Sequence, residues 1–211
     1  MPPLEIELFG DIVCPWCYVG THRLERVIAA LPEPQRVAVV HRPFLLRPAT
    51  PAQGLDIHAE LRKRFGGDLE PVFARLVAEA QASDLELDPR RQPFAFPTLP
   101  AHTLLRHALA KGTQRALALA LFHAHFVLAK NISDPETLAE LASAHGFTRD
   151  EALALLASPA EQIITRSETE EASAAGIRGV PLFVIGGRAL PGAQPEPVLR
   201  EAIDAALAHA S

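Results

Sequence analysis

The chain has 211 residues, 48% of them hydrophobic, and a formal net charge of −5. That length suits one large core, or a small α/β unit carrying an inserted subdomain, rather than two independent domains. The acidic balance excludes a basic footprint for nucleic acid or for an anionic membrane surface.

The first residues, Met1 to Glu7, lack the positive lead and unbroken apolar stretch of a secretory signal, and run directly into a β-like segment, Leu4 to Phe9. The most apolar stretch, Ala116 to Ala129, is broken by His123 and His125. It is also shorter than the ~20 residues that span a bilayer. A cytoplasmic protein with no membrane partner is expected. The two cysteines of the chain follow the first strand as Cys14-Pro15-Trp16-Cys17. Closing so short a loop removes little chain entropy, and a reducing compartment disfavours structural disulfides, so chemistry is the better reason for the pair.

From Pro15 to Leu31 the periodicity is helical, with Cys17, Leu24 and Leu31 on one stripe. Arg36 to Phe44 is a β-branched run closed by Pro43, so the first 44 residues read β-α-β with parallel strands. Leu55 to Ala175 reads as helical almost throughout, with a Pro-rich loop from Pro89 to Pro100. Three capping boxes are expected, at Ser133/Glu136, Thr148/Glu151 and Ser158/Glu161, with helix ends at Gly112, Gly146 and Gly176. Val180 to Ile185, Gly186-Gly187 and Arg188 to Leu190 form a hairpin signal, and Pro195 to His209 a final helix with Leu199, Ile203 and Leu207 on one face. The whole is α/β: β-α-β, a helical block, then β-β-α.

With Cys14 as N-cap and Pro15 at the first helical position, the Cys14 sulfur lies at the positive end of the helix, which favours a thiolate nucleophile. Cys17 faces inward on the stripe with Leu24. The expected division is attack by Cys14 on a disulfide and resolution by Cys17. Trp16 is an apolar cover that cannot carry charge, which predicts a couple less oxidising than one with histidine between the cysteines. A structural zinc site needs four ligands, and the lone pair of cysteines with His123 and His125 does not supply a convincing set, so no metal is expected. His102, His123 and His125 are the histidines with a prospective site role.

Cys14-Pro15-Trp16-Cys17-Tyr18-x-Gly20 at the front, and Gly176-Ile177-x-Gly179-Val180-Pro181-x-Phe183-Val184 near the end, resemble the DsbA family of thioredoxin-fold oxidoreductases, specifically its FrnE-like branch. Phe44 to Pro48 and Gly192-Ala193-Gln194 fit the same resemblance. The resemblance implies a thioredoxin-like core, residues 1–50 and 176–211, interrupted by a large all-helical insertion, residues 51–175. It also implies catalytic Cys14 and Cys17, a cis Pro181 against the sulfurs, and substrate contacts from Pro15, Trp16, Val180 and Pro181. The partners expected are protein or small-molecule thiols and disulfides, with no resident cofactor, glutathione as a candidate co-substrate and a second copy of the chain as a candidate partner. Two alternatives remain open: a glutathione-dependent enzyme like 2-hydroxychromene-2-carboxylate isomerase or kappa-class glutathione transferase, and a chaperone-like binding module without chemistry.

Overall fold

In the computed structural model, which describes residues 3–209, β1 (Leu4–Gly10) leads through α1 (Pro15–Ala29) to β2 (Val37–Pro43). A short strand β3 (Leu55–Asp56) precedes α2 (Ile57–Phe65) and α3 (Glu70–Gln81), and β4 (Phe94–Ala95) precedes α4 (Leu99–Ala110). Then come α5 (Gln114–Phe126), α6 (Pro135–Ser143), α7 (Arg149–Ala157) and α8 (Pro159–Ala174). The chain returns as the hairpin β5 (Leu182–Ile185) and β6 (Arg188–Pro191) and closes with α9 (Glu196–His209).

β1 pairs in parallel with β2, from Leu4 opposite Val37 to Gly10 opposite Pro43, and antiparallel with β5, giving the order β2-β1-β5-β6. The Gly186-Gly187 turn has both φ angles positive, 55° and 78°, as a two-residue hairpin loop requires. One core lies between the sheet, α1 and α9, where Ile6, Leu24, Ile28, Phe183, Leu199 and Ile203 are fully buried. Each such side chain contributes about 1.5–3 kcal/mol through its removal from water. A second core lies in the helical block and takes in Cys14, Cys17 and Tyr18 together with Leu104, Leu121 and Phe122. α1 therefore serves both cores, with Leu24 in one and Cys17 in the other.

Two buried polar side chains hold the helical block to the sheet. Arg23 of α1 donates to Ser83 Oγ (2.8 Å), the Ala193 carbonyl (3.0 Å) and Glu79 Oε2 (2.6 Å), tying α3 and the segment after β6 to one guanidinium. Gln114 accepts from the His41 N–H (2.9 Å) and donates to the His41 and Leu105 carbonyls (3.1 Å each), satisfying backbone groups on the outer edge of β2.

Four local expectations need correction. The block is not helical throughout, since β3 and β4 pair as a two-stranded ribbon. The Pro89–Pro100 stretch is not all loop: it holds a 3₁₀ turn, β4 and the first turn of α4, where Pro100 takes an early position that needs no N–H donor. Asp134, not Ser133, caps α6, accepting from the Thr137 N–H at 2.8 Å. Pro135 restricts the residue before it to extended backbone, which is the geometry of an N-cap. At α8 only half the expected box forms. Ser158 accepts from the Glu161 N–H, but the Glu161 carboxylate pairs with the Arg106 guanidinium and lies 2.7 Å from His107 Nε2, side-chain partners that outcompete a backbone amide. Thr148 and Glu151 make the complete box.

Gly20 of α1 sits where an added Cβ would lie 3.0 Å from Phe183 Cζ and 3.2 Å from Pro181 Cγ. Gly20→Val is expected to lower stability by about 1–3 kcal/mol through this overpacking, measured as a lower urea midpoint with an unchanged m-value.

Candidate active site

The turn between β1 and α1 is built by its own backbone. The Cys14 N–H donates to the Asp11 carbonyl (3.0 Å), and the Cys14 carbonyl accepts from Cys17 (3.0 Å) and Tyr18 (3.2 Å), starting the helix. Cys14 has extended φ/ψ of −93° and 110°, and Pro15 fills the first helical position. A side-chain cap normally uses an oxygen. Here the acceptor is sulfur: the Cys17 N–H donates to Cys14 Sγ at 3.3 Å. The donor and the positive helix end act on the same atom.

The two free sulfurs differ in surroundings. Cys14 Sγ lies 3.9 Å from the Val180 carbonyl and edges a cavity. Cys17 is 1% exposed, inside the helical core, with the backbone of Gly10 beside its sulfur. Burial pushes the Cys17 thiol well above the usual thiol range, and the adjacent Cys14 adds to the shift. Cys17 is thus held as a protonated thiol in the core, while Cys14, itself only 5% exposed, meets the cavity through its lining position.

The Val180–Pro181 peptide is cis, and the Val180 carbonyl lies against Cys14. Val180 and Pro181 line an open groove of about 740 Å³ that runs from Ala175 to Gly192. Pro15 and Trp16 lie on the other side of Cys14, in the wall of a more enclosed cavity of about 290 Å³ between α1, α2, α3 and β4. Cys14 itself lines the more enclosed cavity, and its sulfur meets the groove's lining at the Val180 carbonyl. Trp16 is half-buried, with the Arg75 guanidinium 5.6 Å from its ring. Tyr18 is stacked on Phe122, with ring centroids 5.2 Å apart, which fixes the first turn of α1 from below.

The histidines separate. His102 is buried with Nε2 3.4 Å from Asp11 Oδ1, while the other Asp11 oxygen accepts from the Leu46 N–H at 2.8 Å. His125 lines the enclosed cavity, and burial lowers its pKa to about 4, so it is neutral at physiological pH. His123 is exposed and joins neither.

Residues 5–204 match the DSBA-like thioredoxin domain. The chain belongs to this family. A probable DsbA oxidoreductase of Streptomyces coelicolor is 34% identical, with a TM-score of 0.86 over 97% of this chain and 90% of that one. The protein YwbO of Bacillus subtilis is 28% identical over 95% of this chain and 96% of its own length. A 2-hydroxychromene-2-carboxylate isomerase shares the fold, with 14% identity and a TM-score of 0.77 over 98% of each chain. DsbA-like folds therefore include both disulfide oxidoreductases and an isomerase, and this member carries a cysteine pair at the helix start.

Asp11 is the site residue that sequence reasoning missed. Its signal was a single carboxylate in the otherwise uncharged segment between the first strand and Cys14. Arg23 carries no signal of its role in the sequence, because its partners Ser83, Glu79 and Ala193 are distant along the chain.

Cys17 must lose its proton before it can displace a mixed disulfide. Resolution of a preformed Cys14 adduct is therefore expected to accelerate as pH rises through and beyond 9, roughly tenfold per pH unit while the thiol stays protonated. Trp16, the sole tryptophan, reports this by stopped-flow fluorescence. Because Trp16 supplies no cationic ring to stabilise a reduced thiolate, the couple is expected nearer the ~−270 mV of thioredoxin than the ~−120 mV of DsbA. Equilibration against a glutathione buffer measures it.

Proposed function

We propose that this protein is a thiol-disulfide oxidoreductase of the FrnE-like branch, in which Cys14 attacks and Cys17 resolves. The observation that carries the reading is the asymmetry of the pair: one sulfur caps a helix at the edge of a cavity, while the other is 1% exposed inside the core. Attack by the Cys14 thiolate on a substrate disulfide forms a mixed disulfide and releases one substrate thiol. Cys17 then loses its proton, attacks the Cys14 sulfur and releases the second thiol, leaving a Cys14–Cys17 disulfide. The cycle runs in either direction, so oxidation, reduction and isomerisation share one chemistry and are chosen by the redox partner. The absence of a cationic residue between the cysteines favours a reducing role in a reducing compartment. Glutathione fits as a co-substrate that restores the dithiol.

A glutathione-dependent isomerase on the same fold has no need of a second thiol, and the presence of Cys17 weighs for exchange. Insulin-disulfide reduction compares the readings. Cys14→Ser is expected to fall to the uncatalysed rate. Cys17→Ser is expected to accumulate stable mixed disulfides visible by mass spectrometry. Full activity in Cys14→Ser, or turnover without a thiol requirement, would contradict the exchange reading.

A further inference from the structure

The enclosed cavity beside Cys14 has a composition that a general disulfide-exchange site does not need. Leu61, Phe73 and Leu76 of α2 and α3 line it, and three of the few large apolar side chains left exposed on the described surface, Leu46, Phe65 and Phe94, line it as well. No acidic side chain lines it. Its charged lining residues are Arg47 and Arg64, neither of which has an ion-pair partner among the described residues. Arg64 lies over the Phe65 ring at 5.5 Å, and Arg47 acts on Glu60 only through space, that carboxylate being paired with Lys63 at 2.7 Å. His125 adds no charge, and its buried Nδ1 has no hydrogen-bond partner among the described residues.

Apolar surface exposed around one concavity marks a binding site, and unpaired cations beside it select the sign of the ligand. A volume of about 290 Å³ accommodates one small organic group rather than a folded loop. We propose that this cavity binds low-molecular-weight disulfides whose halves are an apolar body carrying an anionic group, and that Cys14 exchanges with them directly. This inference rests on the exchange reading of Cys14 and specifies the substrate class. The apolar body lies against Leu61, Phe73 and Phe94, the anion meets Arg47 and Arg64, and one substrate sulfur meets Cys14 Sγ. The Cys14 thiolate forms a bond to that sulfur as the substrate S–S bond breaks, and the first thiolate leaves. Cys17 gives up its proton to the released thiolate or to solvent and displaces the second. Two electrons pass from the enzyme dithiol to the substrate disulfide.

Single turnover of the fully reduced enzyme tests this with two aromatic probes, the dicarboxylate dithiobis(nitrobenzoate) and the uncharged dithiodipyridine. Each rate is divided by that of the same enzyme unfolded in urea, which removes the intrinsic reactivity of the probe. The expected result is a larger normalised rate for the dicarboxylate, diminishing as salt is added. Arg64→Gln and Arg47→Gln should each lower the ratio of charged to uncharged rates by about fivefold at low salt. Leu61→Trp, which fills the cavity, should slow both probes, with circular dichroism confirming that it is folded. A charged-to-uncharged ratio that neither the arginine substitutions nor salt moves would overturn the proposal, as would a cavity-filling variant that slows neither probe. In those cases Cys14-dependent insulin reduction would leave the exchange reading standing. If Cys14 reduced none of the three disulfides, that reading would fail as well.

Discussion

The hydrogen bond from the Cys17 amide to the Cys14 sulfur is the contact on which the rest of the site depends. It can form only if α1 starts at Pro15, and α1 starts there because the Asp11 turn closes over the Cys14 amide and Pro15 needs no donor. Once the helix start is fixed, a three-residue step places Cys17 on the inward face, seven residues before Leu24. One local geometry therefore produces both the sulfur that lines the cavity and the one sealed in the core.

The two cores then keep that geometry in place. The sheet core holds α1 through Leu24 and Ile28, and the helical core holds its first turn through Cys17, Tyr18 and Val19. Arg23 lies between these faces and reaches two separate segments, the end of α3 and the residues after β6. The helical block is thus more than a peripheral ornament. Its α2 and α3 form a wall beside Cys14, and the Val180 carbonyl before cis Pro181 meets the same sulfur, so the surroundings of Cys14 come from parts of the chain far from it in sequence.

Much of this is legible in the residues alone. The strand, the helix from Pro15, the parallel pairing, the Gly186-Gly187 hairpin and the terminal helix all carried strong local signals, either period or turn chemistry, and each formed as read. Cys17 was placed inward by its spacing from Leu24 alone, and it is buried. At α6 the Ser-x-x-Glu pattern points to Ser133, but the backbone restriction that Pro135 imposes on the residue before it makes Asp134 the cap. The β3–β4 ribbon escaped notice because two-residue strands have no measurable period. The Asp11–His102 contact joins residues 91 positions apart, and the cavity is assembled from several elements. Such juxtapositions have no signature in a single sequence. The proline geometry at 181 was not decided by the residues themselves and came only with the family resemblance.

Differential alkylation of the native, reduced protein probes the inequality of the two thiols most directly. Iodoacetamide at neutral pH, followed by peptide mass spectrometry over time, gives a separate rate for each sulfur. The structure predicts that Cys14 is modified at least ~100-fold faster than Cys17, whose rate should rise to match only when the protein is unfolded. Equal rates in the folded state, or faster modification of Cys17, would contradict the account.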